Sequence, residues 1–464
     1  MRNVRTMTAL CALTLLWGCA VLGPKYQRPE LRTPAQYSAA PTGGAIADAW
    51  WKGFGDAQLD ALVDEALRAN QDLLAAVARV EEARALAGQA RSDRFPEVWA
   101  SASATRSKLS QQTSQLPPTA DLTTTRVRAT ADLSFELDFW GRLARASEAA
   151  RAQLVATEEG RRAVQVGLAA DAVGAYFDLL TFRDQLAVTR QTIDSRRESA
   201  RLQGTRYDAG TISELDLAQA QAELAAAEAA APDLERLARQ AEDRLAVLLG
   251  RIGGAVATES AGLARVQLPE VPVGLPSDLL ARRADVAAAE QGLVAAHARV
   301  AVARAGYFPS ITLTGSVGSE SRELADLFAS DTNIWSAAAS VLQPIFQAGK
   351  VTRQVEAAKA REQQALAAYR KAVQSAFADV EDALVARSSG GLVRAALDRE
   401  VEALDRARRL ARLRYDAGDS SYLEVLDAER NAFRAELDRT SARRAELQAA
   451  VTLFKALGGG WETR

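Results

Sequence analysis

One pentapeptide occurs twice in this chain, and its second copy puts the whole sequence into register with itself. Arg206-Tyr207-Asp208-Ala209-Gly210 returns as Arg414-Tyr415-Asp416-Ala417-Gly418, 208 residues later. Gly141 and Gly349 keep that offset, as do Glu148-Ala-Ala-Arg151 and Glu356-Ala-Ala-Lys359, while Phe95-Pro96 and Phe308-Pro309 stand 213 apart. The fold must therefore contain two related halves, expected at residues 50–250 and 275–464 and joined by a linker at 251–274. Each half leads into Leu-, Ala- and Glu-rich helical sequence, a pattern that suits assembly better than a catalytic pocket.

The N-terminus constrains where the chain goes. Arg2 and Arg5 precede an apolar run from Met7 to Trp17, short for a membrane helix but normal for an export signal. No later stretch reaches 18 uninterrupted apolar residues, so no helix is expected to span a bilayer. Leu16-Trp17-Gly18-Cys19 resembles a bacterial lipobox, with Trp17 where a small residue is usual. This makes residues 1–18 a signal peptide and Cys19 the expected site of lipidation. Cys11 lies inside the signal, so Cys19 has no partner for a disulfide within the processed chain. Residues 19–49, rich in Pro, Gly, Ser and Thr, read as an extended arm behind the lipid.

Charge and composition exclude whole classes of function. With 57 basic and 59 acidic residues there is no basic surplus for nucleic acid, whose backbone needs one. His297 is the sole histidine, in an alanine-rich helix, and is expected to be a packing or surface residue; neither a catalytic triad nor a metal site can be built around it. Gly253-Gly254 and Gly458–Gly460 lack the following lysine of a phosphate loop and read as linkers. No catalytic residue, metal or cofactor is expected beyond the lipid on Cys19.

Two periods alternate along each half. Asp56 to about Asp93 is helical, and Phe95-Pro96 ends it, because a residue before proline is pushed out of helical geometry. From Val127 to Phe139 the period becomes two: Leu133, Phe135, Leu137 and Phe139 share one face, Asp132, Ser134, Glu136 and Asp138 the other. This predicts a strand over about 125–140, paired with a weaker one over about 98–106. The second half repeats it at about 310–319 and 333–343, with Ile311, Leu313, Gly315 and Val317, then Trp335, Ala337, Ala339 and Val341 alternating with other residues. Strands apolar on one side and polar on the other suit a wall between lipid and water; a soluble sheet covered by helices is the alternative. Four strands cannot close around a channel, and lipid tolerates no open sheet edge, so several chains must pool them. Three chains would supply twelve.

Helical pattern runs from Gly141 to about Gln203 and from Gly349 to about Leu413, roughly 95 Å each if continuous. The returning helices are Glu214–Leu249 and Tyr422–Leu457, with Pro232 expected to bend or restart the first. In the second, Leu423, Leu426, Phe433, Leu437, Leu447, Val451 and Phe454 follow alternating three- and four-residue steps, with Arg430, Thr440 and Arg444 at the interrupting seam positions. Gly210 and Gly418 can close a helix in the left-handed conformation, and Thr211 or Ser213, and Asp419 or Ser420, can cap the next. The duplicated pentapeptides are thus the tips of two hairpins.

The lipobox, Gly23-Pro24-Lys25-Tyr26-Gln27-Arg28-Pro29, Trp50-Trp51, both tips and Leu275-Pro276-Ser277-Asp278-Leu279-Leu280 together resemble the outer-membrane channel proteins of TolC type. The lipidated branch serving resistance-nodulation-division efflux pumps is most similar, although Arg283-Ala284-Asp285 stands where that branch usually has Arg-Pro-Asp. The resemblance covers essentially the whole processed chain. It implies a mainly α membrane protein: a homotrimer whose long antiparallel helices form a periplasmic barrel and whose strands form a twelve-stranded outer-membrane barrel. It also implies contact, at the tips Arg206–Gly210 and Arg414–Gly418, with a periplasmic adaptor and through it an inner-membrane pump. Glu424 and Asp427, three apart on one helical face, are placed at the periplasmic constriction, with Tyr415 and Tyr207 bracing the tips or joining the gate. Ser420 replaces an arginine common in the family, which puts an arginine lock there in doubt. The function implied is a passive exit duct for small toxic compounds. Type I protein secretion and a periplasmic helical scaffold are the competing readings.

Overall fold

The computed structural model describes residues 24, 26–31, 37, 46–112, 117, 121–253, 256, 262–274 and 276–460, without the side chains of 276–278. The signal peptide, the lipobox and Cys19 lie outside the described residues. The elements run α1 (Ala57–Ala69), α2 (Gln71–Ser92), β1 (Glu97–Lys108), β2 (Thr123–Glu136), α3 (Arg142–Asp208) and α4 (Glu214–Leu248). Then the series repeats as α5 (Pro276–Arg282), α6 (Ala284–Ala305), β3 (Ser310–Ser321), β4 (Asn333–Leu342), α7 (Lys350–Asp416) and α8 (Tyr422–Ala456). The repeat is metrical: α3 and α7 each have 67 residues, and α4 and α8 each have 35.

Two compact units divide the chain. The first takes the chain up to Glu30, Val80–Thr157 and Ala289–Tyr369, and contains all four strands. Its sheet is antiparallel in the order β1-β2-β3-β4, and residues directly opposite in such a ladder share a face. Val98 faces Leu133, which faces Gly315, which faces Ala337; Ala131 faces Val317, which faces Trp335; Phe135 faces Leu313, which faces Ala339. One surface is therefore apolar across all four strands, and it is open, with Val98 67% and Trp335 80% exposed. The other surface carries Ser101, Thr130, Asp132, Ser134 and Ser316. There Ser101 Oγ donates to Asp132 Oδ2 at 2.8 Å, and Arg126 pairs with Glu320 at 3.2 Å.

The weaker strand proves the full equal of its partner, pairing from Glu97 to Lys108. β2 stops at Glu136, short of the expected 139–140. Leu137 still donates its amide to Ile311, but Asp138 turns its carboxylate onto the amides of Leu143 and Ala144 and so starts α3. Phe139 and Trp140 form the turn, with Trp140 stacked on Phe308 at 4.7 Å.

The second unit takes Leu31–Arg79, Glu158–Ala288 and Arg370–Arg464. Its core gathers around Trp50-Trp51: Trp50 stacks on Phe454 at 4.9 Å and Phe54 meets Phe177 edge-on at 5.2 Å. Asp56 caps α1 and also accepts the Tyr176 hydroxyl at 2.8 Å. α3 contains an apolar 18-residue window of mean hydropathy 1.3, yet 61% of it is buried, so its apolar character serves this core.

The helix expected over Asp56–Asp93 is two helices, broken at Asn70. Asn70 accepts the Leu73 amide through Oδ1 and donates through Nδ2 to the last helical carbonyl of α4, Leu248. Arg283 does the same in the second half: it separates α5 from α6, pairs with Asp285 and Asp379, and reaches the Ala456 carbonyl at the end of α8. The Arg283–Asp285 pair thus secures a helix start that lacks proline. Beside each break sits a glycine at positive φ, Gly250 and Gly458, where a β-carbon would lie 2.3 Å from the Ala69 carbonyl and 2.9 Å from that of Arg282.

Pro232 does not restart α4, which runs unbroken around it. Proline removes one amide locally, while buried Ala227 and Ala241 anchor the helix on both sides.

Candidate functional site

The outgoing helices extend beyond their expected ends and include Arg206-Tyr207-Asp208 and Arg414-Tyr415-Asp416 as their last turns. Ala209-Gly210 and Ala417-Gly418 then turn the chain, with both glycines left-handed. Thr211 donates its amide back to the Arg206 carbonyl and Asp419 to that of Arg414, each at 2.9 Å, the six-to-one bond that satisfies a helix end. Ser213 caps α4 in a reciprocal box with Asp216. On the second tip the cap position falls to Ser421, not to Asp419 or Ser420, and no side-chain cap bond forms there.

The two tips interlock. Tyr415 donates its hydroxyl to Gln203 Oε1 at 3.2 Å, lies under the Arg206 guanidinium at 5.3 Å, and meets the ring of Tyr422 at 5.2 Å. Tyr422 hydrogen-bonds Ser199 at 3.0 Å and, with Val425, Leu426 and Ala220, forms a small core against which Ala200, Ala411 and Tyr415 pack. Tyr415 therefore braces one hairpin against the other. Tyr207 stays 40% exposed.

Glu424 and Asp427 are both exposed on α8 but differ in their surroundings. Glu424 is held to its own tip by Arg414, 3.0 Å away, whose other nitrogen donates to the Asp419 carbonyl. Asp427 accepts a hydrogen bond from Asn431 and, among the described residues, has no ion pair. Within one chain the two carboxylates thus differ in charge balance, Glu424 being paired with an arginine and Asp427 with an amide.

Sequence reading missed the charge network behind the tip. Arg196, 5% exposed, donates to the Glu223 carbonyl at 2.8 Å, pairs with its carboxylate at 3.2 Å and lies over Phe433. Arg430 pairs with the other oxygen of Glu223 at 2.6 Å. Burial pushes the Glu429 carboxyl above the usual glutamate range, against the opposing pull of Arg412, Arg196 and Arg408. Arg430 was visible as a seam position; its partner across 207 residues was not.

His297 is a helix packing residue, as expected, and what it packs against is the arm. Its Nδ1 meets Glu362 at 2.6 Å and its Nε2 meets the Pro24 carbonyl at 3.0 Å. Arg28 pairs with Glu290 at 2.7 Å and donates to the Tyr369 hydroxyl, while Tyr26 packs edge-on to His297. Burial, reinforced by Glu290 and Tyr369, pushes the Tyr26 hydroxyl up to about 12. These contacts clasp the arm against α6 and α7. The Arg145 guanidinium, 3.5 Å from Pro24, ties it to the first turns of α3. The Gly23–Pro29 motif carried this signal without naming its receptor.

The chain matches the outer membrane efflux protein model over residues 62–251 and 275–459. It is 37% identical over 466 residues to the solvent efflux pump outer membrane protein SrpC of Pseudomonas putida, covering 97% of each chain. To the probable outer membrane lipoprotein SilC of Salmonella typhimurium it is 34% identical, covering 98% of each. Among solved structures it is similar to the open state of the Neisseria gonorrhoeae MtrE outer membrane channel, with TM-score 0.85 and 32% identity over 95% of this chain and 98% of that one.

Proposed function

The chain belongs to the outer membrane efflux protein family, and on that premise we propose that it is the exit duct of a tripartite pump, assembled as a trimer and anchored by lipid on Cys19. It is an outer-membrane channel component and not an enzyme. The observation that carries the reading is the four-stranded sheet, apolar on one face across all four strands from Phe135 to Ala131 and, among the described residues, unpaired at both edges, whose strands lead into 67-residue helices. A face of that kind next to water would be an aggregation hazard; next to lipid it is buried, and pooling strands from three copies closes the edges. A covered soluble scaffold does not account for side chains as open as Trp335 and Val317.

The lipid assignment draws on the arm. Pro24 is fixed beside Arg145, one turn after α3 begins, and five residues reach at most roughly 17 Å. Acyl chains on Cys19 would therefore start close to the level at which the strands begin. The tips, lying at the far ends of α3 and α7, present Arg206–Gly210 and Arg414–Gly418 to an adaptor, through which an inner-membrane proton-driven pump would supply the energy.

Loss of the gene is expected to raise accumulation of lipophilic toxic compounds in cells carrying the adaptor and pump, and the intact chain to reverse it. Unchanged accumulation across a broad panel of such compounds would count against efflux. Cys19→Ser should abolish palmitate labelling; retained labelling would remove Cys19 as the anchor.

A further inference from the structure

Three arginines face a single cavity of about 500 Å³ where the first helices of the sheet unit meet its strands. Arg91 and Arg94 come from the end of α2 and the turn after it, Arg151 from α3, with Ala87, Gly88 and Ser147 completing the lining. None of the three side chains has an ion pair or hydrogen bond among the described residues. Glu148 pairs with Arg145 at 2.7 Å, and neither Asp93 nor Glu97, the acids nearest Arg94 in sequence, forms an ion pair with any of the three among the described residues. Three uncompensated guanidinium groups around one hollow repel one another and gain from an anion placed among them.

The level of the cavity decides which anion. Arg94 precedes Phe95-Pro96 and stands three residues before β1. Trp140 and Phe308, stacked at 4.7 Å, lie at the same strand ends, as does the half-exposed Tyr307. Aromatic rings of this kind mark the headgroup level of a membrane. The repeat adds a second observation: Arg304 and Lys359 stand at the positions of Arg91 and Arg151 in the other half, and their side chains too have no ion pair among the described residues.

We propose that the Arg91–Arg94–Arg151 pocket binds the phosphate headgroup of an anionic phospholipid in the periplasm-facing leaflet of the outer membrane. The proposal rests on the strands being the membrane part of the channel. Guanidinium forks take phosphate oxygens in pairs, Ser147 offers a hydroxyl, and the lipid tails would run along the apolar face of the sheet. The site would fix the depth of the barrel beside the lipid on Cys19.

The test is native mass spectrometry of the intact assembly, extracted in detergent and titrated with phosphatidylglycerol, phosphatidylcholine or inorganic phosphate. The intact chain should retain phosphatidylglycerol in preference to the other two. Arg91→Gln, Arg94→Gln and Arg151→Gln together should weaken that retention on the order of 100-fold while the assembly keeps its mass. The triple lysine variant should keep the preference. Equal retention of both lipids, inorganic phosphate bound as well as the lipid, or an unaltered glutamine variant would overturn the proposal. So would dissociation of the glutamine assembly, which would make the arginines subunit contacts. Failure of the chain to enter membranes at all would instead defeat the functional reading beneath it.

Discussion

Leu133→Arg combined with Phe135→Arg is expected to abolish assembly in the outer membrane, leaving a chain that fractionates as degraded or aggregated protein. Both residues lie on the face that runs apolar through Val98, Leu313, Gly315 and Ala337. An arginine placed against lipid costs about 2–4 kcal/mol at mid-depth of a barrel and less towards its ends, so two of them on the last four residues of β2 remove a substantial part of what a marginally stable fold has to spare. Ser134, between them, points to the other face and is the control. Ser134→Arg should assemble and migrate as a heat-modifiable oligomer. If the double variant assembled normally while Ser134→Arg failed, the lipid and water faces would have been exchanged.

Removing both tip carboxylates should raise single-channel conductance severalfold in planar bilayers and reduce block by divalent cations. We propose Glu424, Asp427 and Tyr415 as the gate layer, and the structure separates their contributions. Asp427 is the one of the two without an ion pair among the described residues, so Asp427→Ala alone should account for most of the lost cation sensitivity. Glu424→Ala releases Arg414 from its 3.0 Å partner and should act instead by loosening the second tip. An exposed ion pair contributes about 0–1 kcal/mol, so thermal stability of the assembly should scarcely change. Tyr415→Phe, which loses the bond to Gln203 but keeps the ring packing, should have a smaller effect than the double alanine variant. Parental conductance and cation sensitivity in the double alanine channel would move the constriction to another layer.

What was legible in the sequence is what repeats or alternates. The hairpin tips could be placed because glycine at positive φ and a helix-capping serine leave local signatures, and the lengths of α3 and α7 followed from an unbroken helical period. The β2 face was readable because Leu and Phe alternate with Asp, Ser and Glu. β1 was faint because Ser-Ala alternation carries little β preference, and only its ladder with β2 reveals twelve paired residues. The breaks at Asn70 and Arg283 were invisible because their causes lie far away, in carbonyls at Leu248 and Ala456. The site was legible only in outline. Spacing put Glu424 and Asp427 on one face, but the pairing of Glu424 with Arg414 depends on how the tip turns. His297 was read as a packing residue, but its partners, Pro24 and Glu362, come from an arm and a helix that no local period relates to it.

Four strands per chain make a membrane wall only when several copies pool them. The most direct measurement is the native mass of the protein extracted from outer membranes in mild detergent. Three acylated chains are expected, their twelve strands closing one barrel. A single chain, stable and soluble without detergent, would contradict it.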